Sequence, residues 1–382
     1  MKKRTKNETF RTGPHPLPIH LGMAAAAKSD IQEYVSQYVP LIGQEELSEI
    51  VRGIQLYQRH PYKVKRKKRT PVWSEGGACV YRFSREACAA IDSRRQPVLL
   101  VPSLVNTCDI LNLCPERSLT QWLADRGHQT YLLDWGETSQ YPQDKNIEGI
   151  VRGRLCAAIE NIADQTGGPV TIVGYCMGGT LSMAAASVLP EKIGRIVLMA
   201  APWDFHTRNQ VLSERVRTWS PLVTGIIEER GYLPAEWTQA LFATLDPSGS
   251  AKKFARFARM EPDSGKAKLF VAVEDWLNDG VNLAAEIATH CLQQWFARNA
   301  PQKGEWKISG RAVNLENIEC PILIVASTGD HLVPYDAAAC ISESLSGTKA
   351  EIIRLDCGHI SLIAGSKAIE TVWTPIAEWM EC

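Results

Sequence analysis

Net charge is missing from this sequence: 42 Lys and Arg against 42 Asp and Glu leave a formal charge of zero over 382 residues. No global field draws such a chain to nucleic acid or to an anionic lipid surface. Basic groups gather only locally, at Lys2 to Lys6 and Lys63 to Arg69, and such clusters read as solvated loop. Also missing is any Cys-x-x-Cys pair among the eleven cysteines, so the usual framework of a zinc site or redox dithiol is absent and no metal is expected. The odd count fits thiols kept reduced in a cytoplasmic setting. Long unbroken apolar runs are lacking too. Residues 165 to 190 carry no charge, but Gly167, Gly168, Pro169, Gly174, Gly178 and Gly179 interrupt them, which reads as a buried strand and helix rather than a membrane span. The start of the chain has a basic cluster and Ala24 to Ala27, yet Pro14, Pro16, Pro18 and two histidines spoil the apolar segment a signal peptide needs. There is no internal repeat and no low-complexity segment.

What is present is a βα alternation. Residues 1–28 read as a flexible polar tail, followed by one or two helices over Ser29 to His60 that are expected to pack on the main domain. Gly76-Gly77, between strand-like stretches of Val72 to Phe83, predicts a hairpin. Strands are expected at Pro97 to Val101, Gln129 to Trp135, Val170 to Gly174, Arg195 to Ala200, Pro321 to Ala326 and Glu351 to Leu355. Helices are expected at Ser118 to Arg126, Ile147 to Gln165 and Thr180 to Leu189. The pattern predicts an α/β protein with a mainly parallel, doubly wound sheet, in which ligands bind beyond the carboxyl ends of the strands. Residues 29–382 form the expected catalytic domain. Within it, about 203–312 turn helical and aromatic (Trp219, Phe254, Phe257, Trp276, Trp295, Trp306), too long for a plain loop. This segment reads as a helical cap insertion whose aromatics mostly form its own core.

The chemistry concentrates at Gly174-Tyr175-Cys176-Met177-Gly178-Gly179-Thr180. A strand that turns sharply into a helix, with small residues on both sides of a reactive one, is a nucleophile elbow, here with a thiol in place of the more familiar hydroxyl. In this arrangement, the α/β-hydrolase fold, an acid and then a histidine follow the nucleophile at the ends of later strands. Asp330 in Ser327-Thr328-Gly329-Asp330-His331 and His359 in Asp356-Cys357-Gly358-His359 hold those places; Asp204 is a rival acid site. A paired imidazole and the N-terminus of the following helix both favour a thiolate. The backbone N–H of Met177 is the expected first oxyanion donor, with a second from the loop Pro102-Ser103-Leu104-Val105-Asn106, at Leu104 or Val105. His331, Asn106 and Trp276 are the candidate substrate contacts. A thiolate exchanges readily with a thioester, so an acyl-CoA is the substrate that sulfur suits.

These residues resemble the poly(3-hydroxyalkanoate) synthases, especially their short two-subunit class. The resemblance rests on the Gly-x-Cys-x-Gly-Gly box together with Val101-Pro102-Ser103-Leu104-Val105-Asn106, Leu133-Asp134-Trp135-Gly136, Pro202-Trp203-Asp204-Phe205-His206-Thr207, Gly329-Asp330-His331-Leu332-Val333-Pro334 and Gly358-His359-Ile360. Where that family places tyrosines after Val-Asn, this chain has Thr107-Cys108-Asp109. The resemblance implies that Cys176 carries the growing acyl chain with His359 as its base. It leaves open whether His359 or Asp330 activates the incoming hydroxyl. It further implies 3-hydroxyacyl-CoA as substrate with no separate cofactor, a cytoplasmic homodimer at the surface of polyester granules, and a non-catalytic companion subunit. Two other readings share the same residues: a hydrolase, either an acyl-CoA thioesterase or an intracellular depolymerase, in which water takes the acyl group, and a silent granule-binding homologue.

Overall fold

Continuous apolar runs of four to six residues become the interior strands of one sheet. A computed structural model describes residues 11–16, 44–67, 69–84, 95–140, 145–207, 211–345 and 350–382. Its eight-stranded sheet comprises β1 (Trp73–Glu75), β2 (Ala78–Phe83), β3 (Val98–Val101), β4 (Thr130–Asp134), β5 (Val170–Tyr175), β6 (Ile193–Met199), β7 (Ile322–Ser327) and β8 (Ala350–Leu355), ordered β1-β2-β4-β3-β5-β6-β7-β8. From β4 to β8 all neighbours are parallel, and β2 joins β4 antiparallel. The strands β3, β5 and β7 are buried at every residue, as strands covered on both faces must be. The β1–β2 hairpin closes through Gly76 and Gly77, both at positive φ (55° and 82°), the conformation glycine adopts without cost.

The described residues fall into two compact units. The larger holds Arg66–Ala235 and Gly280–Cys382; the smaller gathers the described parts of Met1–Lys65 with Glu236–Asp279. The division runs through the region read as one cap: 236–279 cluster with the N-terminal segment, while 203–235 and 280–312 belong with the sheet. In the larger unit, α2 (Leu119–Asp125) starts at Ser118, whose Oγ accepts from the Gln121 N–H at 3.0 Å. The helix expected over Ile147 to Gln165 forms as a π-helical stretch, Gly149–Cys156, continuing into α3 (Ala157–Thr166), which stops at Gly167 with φ 74°. The elbow helix α4 spans Met177–Val188 and is buried almost throughout.

In the smaller unit, α1 (Gln44–Arg59) presents Ile50, Ile54 and Tyr57 to Phe254, Ala255 and Phe257 of the helix Pro247–Ala258, with Ala267 and Val271 of the helix Gly265–Asn278 completing the core. The contact is close because Gly53 has no Cβ; one placed there would lie 2.0 Å from the Phe254 carbonyl oxygen. The helical segment at the start of the chain therefore packs on helices of the inserted region. Its amphipathic stripe defines a face to be buried and leaves the partner open. Residues 11–16 differ from the free tail expected there. Arg11 pairs with Asp275 at 2.6 Å and donates to the carbonyls of Tyr57, His60 and Tyr62, and the His15 N–H donates to Asn278 Oδ1 at 2.5 Å. The remainder of 1–28 and the first half of the predicted 29–60 helices lie outside the described residues.

Candidate active site

Strand β5 ends at Tyr175, and Cys176 follows at φ 55°, ψ −129°, a strained conformation for a residue with a side chain. Neighbouring glycines make the turn possible. A Cβ on Gly174 would stand 2.5 Å from Gly179 Cα, and one on Gly179 would stand 2.5 Å from Ala201 Cβ. The Cys176 N–H is tied to the Met199 carbonyl of β6 at 2.8 Å, and its own carbonyl accepts from the Gly179 N–H at 2.9 Å. The sulfur is thereby held at the start of α4, partly accessible.

The loops that follow β7 and β8 supply Asp330 and His359. Asp330 is fully buried by side chain, and its Oδ1 accepts from the backbone N–H groups of Leu332 (2.8 Å) and Val333 (2.9 Å). Its Oδ2 accepts from His359 Nδ1 at 2.6 Å. The Cys176 side chain lies near enough to act on the charge of the imidazole as well. Burial pulls the imidazole pKa down, but the negative charge of Asp330 and then that of Cys176, with the hydrogen bond to Asp330, outweigh it and raise the value from 6.5 to about 10. The structure thus brings Cys176, His359 and Asp330 into one neighbourhood.

Asp204, the rival acid, is engaged elsewhere. Its Oδ1 accepts from the His206 N–H and from Asn299 Nδ2, both at 2.8 Å, joining the start of the inserted region to its return. His331 is exposed beside Asp330.

Met177 is the first residue of α4, where a backbone N–H has no acceptor within the helix. The facing loop lies very near: a Cβ on Gly178 would be 2.3 Å from the Val101 carbonyl oxygen and 2.4 Å from that of Pro102. Trp135 Nε1 holds the Pro102 carbonyl at 2.9 Å, and the loop's outer end is pinned where Asn106 bridges Gly280 and Val281 N–H donates to the Val105 carbonyl at 3.2 Å. Leu104 is buried in this loop. Trp276 is buried on the helix Gly265–Asn278 of the smaller unit.

Two contacts that sequence reasoning missed fix the histidine loop. Ser327, the last residue of β7, donates to the Cys357 carbonyl at 2.6 Å and accepts from the Cys357 N–H at 2.7 Å. Tyr175 donates to the His359 carbonyl at 3.3 Å. Both residues lie inside motifs that were read for their neighbours, and no periodicity marks them. Among the described residues, no group of three His, Cys, Asp or Glu side chains could hold a metal ion, and no helix is long and apolar enough to cross a membrane.

A mainly parallel sheet with a strained residue at a strand-to-helix elbow, and His and Asp on later strand ends, defines the α/β-hydrolase class. A family model described as "alpha/beta hydrolase fold" matches residues 96–366, and the chain belongs to that family. A putative lipase from Acinetobacter baumannii shares the fold at TM-score 0.51 and 15% identity, covering 82% of this chain and 92% of that one. Within the class, its sequence relatives include poly(3-hydroxyalkanoate) polymerase subunits. The chain is 32% identical over 287 residues to the PhaC subunit of Haloarcula marismortui, covering 74% of this chain and 60% of that protein. It is 27% identical over 311 residues to the PhaC subunit of Thiocystis violacea, covering 81% and 86%. The chain thus spans less than two thirds of the haloarchaeal relative's length and most of the bacterial one's.

Proposed function

We propose that the protein is an acyltransferase that polymerises 3-hydroxyacyl-CoA into polyester with release of CoA, through an acyl group carried on Cys176. The observation that carries this reading is a sulfur, rather than a hydroxyl oxygen, at the strained elbow beside an imidazole that is itself 2.6 Å from a buried carboxylate. The names of the relatives support the substrate class.

In the proposed cycle, the Cys176 thiolate attacks the thioester carbonyl, with the Met177 N–H and an N–H of Leu104 or Val105 facing the developing oxyanion. The bond to CoA sulfur breaks, and the departing thiolate takes the proton held on His359. A second 3-hydroxyacyl-CoA then gives its hydroxyl proton to His359 and attacks the Cys176 thioester. An ester bond forms and the Cys176 sulfur leaves. Asp330 orients the ring and stabilises its charged form. We assign Asn106 and His331 to substrate contacts. By the resemblance, the enzyme works as a homodimer with a companion subunit at cytoplasmic granule surfaces.

The test is to supply the purified protein with 3-hydroxybutyryl-CoA while following thiol release and turbidity together. Both are expected, and both vanish in Cys176→Ala. Thiol release accompanied only by free 3-hydroxybutyrate would make the protein a thioesterase and overturn the reading; no thiol release at all would leave a non-catalytic homologue.

A further inference from the structure

Tyr175 occupies the variable position of the elbow, one residue before the thiol. Its side chain is fully buried at 1% exposure. Its ring centroid lies 5.0 Å from that of the His359 imidazole, at an interplanar angle of 32°. Its hydroxyl donates to the His359 main-chain carbonyl at 3.3 Å, a bond between residues 184 positions apart. One side chain therefore grips the histidine twice, by its backbone and by its ring.

We infer that Tyr175 is a positioning residue that sets the height and tilt of the His359 imidazole against Cys176. This inference rests on the reading of Cys176 and His359 as nucleophile and base. The hydrogen bond to Asp330 holds one edge of the imidazole, and the Tyr175 ring lies against its plane. The loop bearing His359 is short and turns at once into the helix Ser361–Ala364, and the same His359 carbonyl is shared with the Leu362 N–H at 3.3 Å. The hydroxyl of Tyr175 thus anchors that turn to the strand carrying the nucleophile. Burial, followed by the negative charges of Cys176 and Asp330, keeps the phenol well above its ordinary pKa, so it remains a neutral donor whenever the thiolate is present. The ring also offers a π face to the imidazolium, which favours the charged ring.

A tyrosine serving only as core filler would be replaced by phenylalanine without consequence for the chemistry. Two variants separate the roles. Tyr175→Phe keeps the ring face and loses the anchor; Tyr175→Leu loses both. With 3-hydroxybutyryl-CoA, Tyr175→Phe is expected to lower kcat by about three- to tenfold, the rate equivalent of one ordinary hydrogen bond, with KM within about twofold of wild type. Iodoacetamide labelling of Cys176 at pH 7, followed by peptide mass spectrometry, is expected to slow by a similar factor in Tyr175→Phe and by more than about tenfold in Tyr175→Leu. In protein carrying nitrogen-15 histidine, the His359 titration is expected to fall in Tyr175→Leu and to hold in Tyr175→Phe. Folded variants that both label at the wild-type rate, with unmoved His359 titration, would overturn the inference. Labelling is also read in His359→Gln. If that variant labels as fast as wild type, the assignment of the base is wrong; if it slows while the tyrosine variants do not, only the role of Tyr175 fails.

Discussion

Gly178→Ala sets two well-known effects against each other, and the structure decides between them. Gly178 is the second residue of α4, so alanine should gain about 1 kcal/mol of helix propensity. The added Cβ, however, would lie 2.3 Å from the Val101 carbonyl oxygen and 2.4 Å from that of Pro102. Both obstacles are main-chain atoms, at the end of β3 and the start of the loop beyond it, so no side chain can swing aside. Relief needs a shift of about 1 Å between α4 and that loop, and overpacking of this kind costs about 3 kcal/mol at the upper end of its usual range. The steric cost wins by about 2 kcal/mol, which for a chain of this size lowers the melting midpoint by about 2.5 °C. The catalytic consequence should be larger. The displaced loop carries the proposed second oxyanion donor, and a misplacement of about 1 Å can cost roughly 100-fold in turnover. Cys176 labelling should change little, since the sulfur and imidazole are held by β5, β6 and the later loops. The assays are a thermal scan, polymerisation kinetics and iodoacetamide labelling of the same preparation. A Gly178→Ala protein that melts higher and turns over normally would show that propensity rules at this position and that the loop is not seated by this approach.

Burial pushes the thiols of Cys156, Cys291 and Cys340 up to about 12, so brief iodoacetamide treatment at pH 7.5 should label Cys176 and spare these three, as read by peptide mass spectrometry. The His359 imidazole is raised in the folded state, so its stabilising charge is complete below the unfolded value of about 6.5 and disappears as pH climbs through about 10. The difference in urea midpoint between wild type and His359→Gln should accordingly shrink across that window; a difference that grows instead would contradict the direction. Arg11→Ala removes a guanidinium held by Asp275 and three main-chain carbonyls, and should cost the smaller unit about 2 kcal/mol, seen as earlier proteolysis of the 44–65 and 236–279 peptides.

The strands were legible because β3, β5 and β7 are covered on both faces and therefore spell nearly continuous apolar runs, whereas the exposed edge strand β8 reads Ala-Glu-Ile-Ile-Arg-Leu. The elbow was legible for a related reason: a chain bent to φ 55° at Cys176 tolerates only small neighbours, and Gly174, Gly178 and Gly179 record that constraint in the sequence. The partner of α1 was not legible, since a stripe of Ile50, Ile54 and Tyr57 fits any apolar surface and the one it meets is about 200 residues away. Nor was the anchoring of residues 11–16, where a polar, proline-rich stretch hides a single arginine that finds four acceptor groups. Tyr175 and Ser327 escaped because their work is done across 184 and 30 residues of chain, through one hydroxyl each.

The choice between Asp330 and Asp204 can be put to a direct trial, because their surroundings assign them different consequences. Asp330 faces an imidazole, while Asp204 faces the amide of Asn299 and the main chain of His206. Asn299 itself sits at φ 56°, which asparagine tolerates better than most residues, and its Oδ1 accepts from the Phe205 N–H at 2.9 Å. Asp204 and Asn299 therefore clasp the point where the chain leaves the sheet for the inserted helices to the point where it returns. Asp204→Ala strands two donors that it had satisfied and should cost about 2 kcal/mol of stability, with Cys176 labelling unchanged. Asp330→Asn leaves the shape of the site intact, strips the charge that holds up the imidazolium, and should slow labelling at pH 7 by at least about tenfold. The reverse pattern, labelling lost with Asp204→Ala and kept with Asp330→Asn, would mean that the imidazole finds its acid elsewhere, by a movement of the clasp that opens the inserted region.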